Sequence, residues 1–112
     1  MACECGEILE LARRLYDGGK APEVDRRSSV SRAYYAAFLR ARDQAGISDT
    51  TKDVHRVVQE FYFQANKVAI ANRLNSMRRA RNKADYKLND AVDGKSTSTQ
   101  IKEAEAVFSD LE

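Results

Sequence analysis

The stretch Val30-Ser31-Arg32-Ala33-Tyr34-Tyr35-Ala36-Ala37-Phe38-Leu39-Arg40-Ala41 carries the longest uninterrupted periodic signal in the chain, and its reading decides the fold. Val30, Ala33, Tyr34, Ala37, Phe38 and Ala41 recur every three or four residues, the spacing at which side chains stack on one face of an α-helix. The pattern holds from Val24 to about Gln44, and Gly46 stands where a left-handed residue would close the helix. Nowhere does the sequence alternate as a half-buried strand does.

Upstream, Ile8, Leu9, Leu11, Ala12, Leu15 and Tyr16 predict a first helix from about Glu4 to Asp17. The connection Asp17-Gly18-Gly19-Lys20-Ala21-Pro22-Glu23 combines a double glycine with a proline suited to the first turn of the next helix. Downstream, Ser48-Asp49-Thr50-Thr51 offers N-cap side chains, and Val54, Val57, Val58, Phe61 and Tyr62 predict a third helix. Helical spacing resumes at Val68, Ile70, Ala71, Leu74, Met77 and Ala80 with neither glycine nor proline between. A short kink at Ala65-Asn66-Lys67 is therefore expected. Asn89 to Ser98 reads as a polar turn cluster, after which Ile101, Ala104, Val107, Phe108 and Leu111 define a closing helix. The expectation is an all-α protein, one domain over residues 1–112, folded as an antiparallel up-and-down helical bundle of four to five helices.

At 112 residues and 12.6 kDa there is material for one modest core, not for two lobes around a cleft. Hydrophobic residues at 43% and charged residues at 32% argue against disorder over the full length. No run approaches the roughly 18 apolar residues of a membrane span. Met1-Ala2-Cys3-Glu4-Cys5 carries acids where a secretory leader would carry bases, so a soluble cytoplasmic protein without membrane association is expected. Cys3 and Cys5 with a single histidine, His55, fall short of the about four ligands of a structural zinc site. No metal and no cofactor is expected, and both cysteines read as reduced thiols.

The net charge of +2 hides an uneven distribution. Residues 1–25 carry a net of −3, residues 26–65 a net of +3, residues 66–90 a net of +5 and residues 91–112 a net of −3. A basic middle attracts phosphodiester backbones through counterion release. The bland alternative is that Arg78, Arg79, Lys83 and Lys87 form a solvated face paired with acids of the terminal helices.

On the fourth helix Arg78, Arg81, Asn82 and Asp85 share one side, and Arg81 and Asp85 are spaced to pair at i,i+4. Leu74, Met77, Ala80 and Ala84 form an adjacent apolar strip, which makes the polar group either a brace between helices or a site. Three blocks occur in order: Ser31-Arg32-Ala33-Tyr34-Tyr35-Ala36-Ala37-Phe38, then His55-x-x-Val58-x-x-Phe61, then Arg78-x-x-Arg81-Asn82-Lys83-Ala84-Asp85-Tyr86. In this combination the chain resembles small prokaryotic HEPN-domain proteins over about residues 5–111. The resemblance implies an all-α up-and-down bundle, a homodimer with the active face at its seam, and binding of RNA or a nucleotide. It also implies a possible metal-independent ribonuclease, whose signature is an Arg, commonly a polar residue such as Asn next, and a His four to six residues after the Arg. Arg81-Asn82 matches the first half of that signature. Tyr86 stands five residues after Arg81, and His55 belongs to another helix.

Metal-free RNA cleavage needs a base for the 2′-hydroxyl, charge against the phosphorane and an acid for the leaving 5′-oxygen. Arg81 can grip two phosphate oxygens and Asn82 can orient a phosphate or sugar. Tyr86 is a poor base at neutral pH but a hydrogen-bond donor. Arg81, Asn82 and Tyr86 are thus the candidate catalytic residues. Arg32, Tyr35, Arg78, Asp85 and His55 are the candidate binding residues: Arg32 as a phosphate contact or as a partner for Asp85, Tyr35 as a stacking platform. Tyr34 and Phe38 read as core. The leading expectation is an RNA-directed HEPN-like module, in the manner of a toxin–antitoxin or phage-defence effector with a cognate antitoxin. The alternative is a catalytically silent bundle that binds a nucleotide or a protein such as a nucleotidyltransferase, and a third reading is a purely structural dimerising bundle.

Overall fold

The computed structural model describes residues 3–48 and 53–112, which fold into five α-helices. They are α1 (Cys5–Tyr16), α2 (Glu23–Gln44), α3 (Val54–Gln64), α4 (Val68–Tyr86) and α5 (Gly94–Asp110), with a short 3-10 turn at Asp17–Gly19. There is no strand among the described residues, and no described helix is long and apolar enough to cross a membrane. The capping positions Asp49, Thr50 and Thr51 lie outside the described residues.

The five expected helices are present, with two corrections. Ala65–Lys67 is a break between helices rather than a kink, because Asn66 adopts φ 62°, a left-handed conformation that asparagine tolerates better than most residues. The turn cluster at Asn89–Ser98 is helical in its second half, since α5 begins at Gly94. Asp93 causes this: its carboxylate accepts from the Ser96 backbone N–H at 2.8 Å, and its carbonyl accepts from the Thr97 hydroxyl at 2.8 Å. Thr97 is fully buried, so packing reinforces the cap where composition alone suggested a loop. The turn after α2 is as expected, with Gly46 at φ 72° just beyond the helix end.

The central helix is α2, which packs against all four others. Ala33, Ala36, Ala37 and Ala41 are all fully buried, and side chains this small let neighbouring helices approach from several sides. Tyr34 and Phe38 are core residues, joined by Leu9, Val58, Tyr62, Leu74, Met77, Ile101 and Val107. Tyr62 closes its buried end with a hydroxyl donated to the Ala41 carbonyl at 2.6 Å.

Paired residues show how the helices run. Ser29 meets Ala12 and Cys5 lines a groove with Arg40, so α1 and α2 are antiparallel. Arg27 meets Leu88, Ser31 meets Asp85 and Tyr35 meets Arg81, so α2 and α4 are antiparallel too. The pair α2 and α3 is different: Tyr34 meets His55 and Ala41 meets Tyr62, both twenty-one residues apart, so these consecutive helices run side by side in one direction. The start of α3 therefore lies against the middle of α2.

Candidate functional site

The antiparallel seam of α2 and α4 holds polar side chains at three successive levels, one helical turn apart on α2. At the first, Arg27 is 9% exposed and its guanidinium closes the C-terminus of α4. Nη1 donates to the carbonyls of Lys83 at 3.4 Å, Ala84 at 2.9 Å and Lys87 at 3.3 Å, while Nη2 donates to those of Leu88 at 3.2 Å and Asp90. Nε and Nη2 also reach the Glu23 carboxylate, at 3.2 and 3.1 Å. The last carbonyls of a helix lack intrahelical partners and carry its negative dipole end, so a buried cation there satisfies both needs.

At the second level the Ser31 hydroxyl donates to Asp85 Oδ2 at 3.2 Å. At the third, Arg81 Nη2 donates to the Tyr35 hydroxyl and Nη1 to Asn82 Oδ1 at 2.8 Å. Its Nε lies 3.1 Å from Asp85 Oδ2, an ion-pair contact out of line for a hydrogen bond. The i,i+4 pairing of Arg81 with Asp85 is therefore present, and the Arg81 side chain is only 14% exposed. Arg81 and Arg32 both lie on the Tyr35 ring, 5.0 and 5.6 Å from its centroid. Arg32 itself is exposed and does not pair with Asp85, whose partners are Ser31 and Arg81. Tyr86 is 71% exposed, with the Arg81 guanidinium 5.7 Å from its ring.

Because α3 runs alongside α2, His55 joins this cluster. Its Nδ1 is 2.5 Å from the Tyr34 hydroxyl, and its ring stacks on Phe38 at 4.3 Å with the edge of Tyr35 beyond, at 6.4 Å. Burial pushes the Tyr34 phenol well above its ordinary range, so Tyr34 holds its proton and can donate to Nδ1 or accept from it according to the ring's tautomer. Burial first, and then the charges of Arg78 and Arg81, hold His55 below the usual imidazole value, so the ring is neutral at pH 7.

Arg78 stands apart from the other seam arginines. It makes no hydrogen bond and no ion pair with any described residue, although its Nε is closed off from solvent. The acids of the terminal helices go elsewhere: Glu103 and Asp110 pair with Arg73, and Glu105 with Arg13. None pairs with Arg78, Arg79, Lys83 or Lys87 among the described residues, which removes the basis of the paired-face alternative for this stretch.

No family model, no curated protein and no solved structure matches this chain. The site thus stands on its own geometry. Around Tyr34, Tyr35 and His55 are the guanidiniums of Arg32, Arg78 and Arg81 against, among the described residues, a single carboxylate, that of Asp85. Cations and aromatic faces in this arrangement suit phosphate and base, respectively. The structure brings together Arg32, Tyr35, His55, Arg78, Arg81, Asn82 and Asp85, and leaves Tyr86 at the rim.

Three contributors escape a reading of the sequence: Arg27, Ser31 and the hydroxyl of Tyr34. Only the last has a local signal, since a tyrosine in a core stripe must find a partner for its oxygen. Away from the seam, Cys3 and Cys5 are free thiols, and burial followed by the nearby Asp43 pushes the Cys5 thiol up, away from the reactive thiolate. No cluster of metal-ligating side chains occurs among the described residues.

Proposed function

We propose that this chain is a HEPN-like RNA-binding module that takes the phosphate backbone of single-stranded RNA along the seam of α2, α3 and α4. The observation that carries the reading is the charge of the cluster: three guanidiniums, two of them without an acid partner among the described residues, around one carboxylate. The exposed Arg79, Lys83 and Lys87 extend the same positive surface along α4, and exposed Tyr86 offers a ring for a splayed base. Binding of labelled single-stranded RNA across a salt series tests it. Affinity should fall steeply with salt, and Arg78→Ala should weaken binding broadly across sequences and flatten the salt slope by about one. Salt-independent or absent binding overturns the reading.

A second reading, endoribonucleolytic transesterification, is favoured by one observation: a neutral imidazole stands beside Arg78 and Arg81 although α4 carries no histidine. The Tyr34 hydroxyl can accept as well as donate, so it supports either tautomer of the ring. RNA incubated with the protein and a chelator should then break, and His55→Gln should stop the breakage even at protein concentrations that saturate the RNA. Intact RNA under those conditions leaves the silent binding module. The engagement of Arg81 by its own chain favours that outcome.

A further inference from the structure

Three arginines of the α2 and α4 seam can be ranked by what their nitrogens already hold. Arg27 has all three nitrogens bonded to carbonyls and to Glu23. Arg81 has Nη1 and Nη2 on Asn82 and Tyr35 and its Nε against Asp85. Arg78 has none bonded, one of them already removed from water. A shielded donor without an acceptor is costly, and a bound anion is a direct way to satisfy it.

His55 offers a second donor at the same place. In the tautomer where the Tyr34 hydroxyl donates to Nδ1, the neutral ring carries its hydrogen on Nε2, and the protonated ring carries one there as well. The rings packed on it from α2 are Tyr34, Tyr35 and Phe38; from α4 the charges of Arg78 and Arg81 act on it, and the antiparallel register that sets Arg81 on Tyr35 puts Arg78 one turn further along, towards the level of Phe38. On its own helix Arg56 is occupied by Asp53 and Glu60. Asp85, the carboxylate of the cluster, is held by Arg81 and Ser31.

Resting on the RNA-binding reading, we propose that Arg78 and the Nε2–H of His55 form the seat of one backbone phosphate, with Arg81 as the scaffold that positions Tyr35 and Asp85 rather than as the phosphate ligand. An oxyanion offers an oxygen to each of the two donor groups, and the guanidinium supplies the countercharge. Occupancy is linked to protons. Arg78 and Arg81 oppose a charge on the imidazole while the seat is empty, and a phosphate beside the ring reverses that field. Binding therefore raises the affinity of His55 for a proton, and RNA binds more tightly as pH falls through about 6.5.

His55 is the one histidine in the chain, so its ring gives a single imidazole signal by NMR. That signal is followed from about pH 5 to 8 for the free protein, with a short oligouridylate and, separately, with inorganic phosphate. Both ligands should move the His55 midpoint upward by about one pH unit. Arg78→Ala, which breaks no side-chain bond among the described residues, should abolish the movement and weaken RNA binding about tenfold. RNA that binds with salt dependence while the midpoint stays put overturns the seat and leaves the RNA reading standing. A midpoint moved by inorganic phosphate through Arg78, with no binding of RNA, keeps the seat and ends the RNA reading. A midpoint that neither ligand moves overturns the seat.

Discussion

Arg27 and Arg78 face the same pair of helices from opposite ends of one seam, and they differ in every physical respect. Arg27 is buried and bonded to main-chain carbonyls, which neither titrate nor leave, so its charge is committed to holding α4 to α2. Arg78 is half-buried beside a neutral imidazole with no partner among the described residues. Between them Arg81 is bonded to side chains, which can exchange partners. The same residue type is thus a structural clamp, a scaffold and, among the described residues, a cation without a partner, and what separates them is the identity of the acceptors.

The largest effect expected from this contrast is at the clamp. Arg27→Met takes the guanidinium from five carbonyls, three of which (Ala84, Leu88 and Asp90) have no other donor among the described residues, and urea unfolding should show a loss of about 3 kcal/mol. A loss under about 1 kcal/mol would mean that water replaces the guanidinium there. Arg81→Ala should cost less, about 1–2 kcal/mol, because Asp85 and Tyr35 remain partly solvated and Ser31 still serves the carboxylate. A double-mutant cycle of Arg81→Ala with Tyr35→Phe should give a coupling of about 0.5–1 kcal/mol.

The next effect is a pH dependence. His55 has a lower proton affinity folded than unfolded, so below about pH 6.5 the unfolded chain binds more protons than the native one. Stability should therefore be full above about pH 6.5 and decline as pH falls through the native value, a slope that His55→Gln removes. Persistence of the slope in that variant would assign it to carboxylates. The smallest effect is at the third arginine: Arg78→Ala should change stability by no more than about 0.5 kcal/mol while weakening RNA binding. A large loss of stability there would erase the contrast with Arg27.

Much of the fold is legible from local pattern. The stripe from Val30 to Ala41 names its own buried face, and the left-handed Gly46 follows from where the stripe stops. The misreadings are also local in cause. A run of serine and threonine looks like a turn until Asp93 caps it and Thr97 is buried, and the break at Asn66 has no glycine or proline to announce it. In the site, the i,i+4 spacing of Arg81 and Asp85 was readable because both lie on one helix. The carbonyl acceptors of Arg27 were not, since they lie 56 to 63 residues away and are backbone atoms with no signature in the residue code.

The sequence by itself determined four to five helices with apolar stripes, a basic middle and the presence of a single imidazole, because periodicity and charge are properties of neighbours along the chain. Only the tertiary structure decided that α3 runs beside α2 in the same direction, which carries His55 from the end of a loop to Tyr34 and the arginines of α4. It also decided that Arg81 is engaged by its own chain while Arg78 has no partner among the described residues. Both outcomes depend on how helices pack against one another, and helical spacing specifies the face of a helix but not the neighbour that covers it.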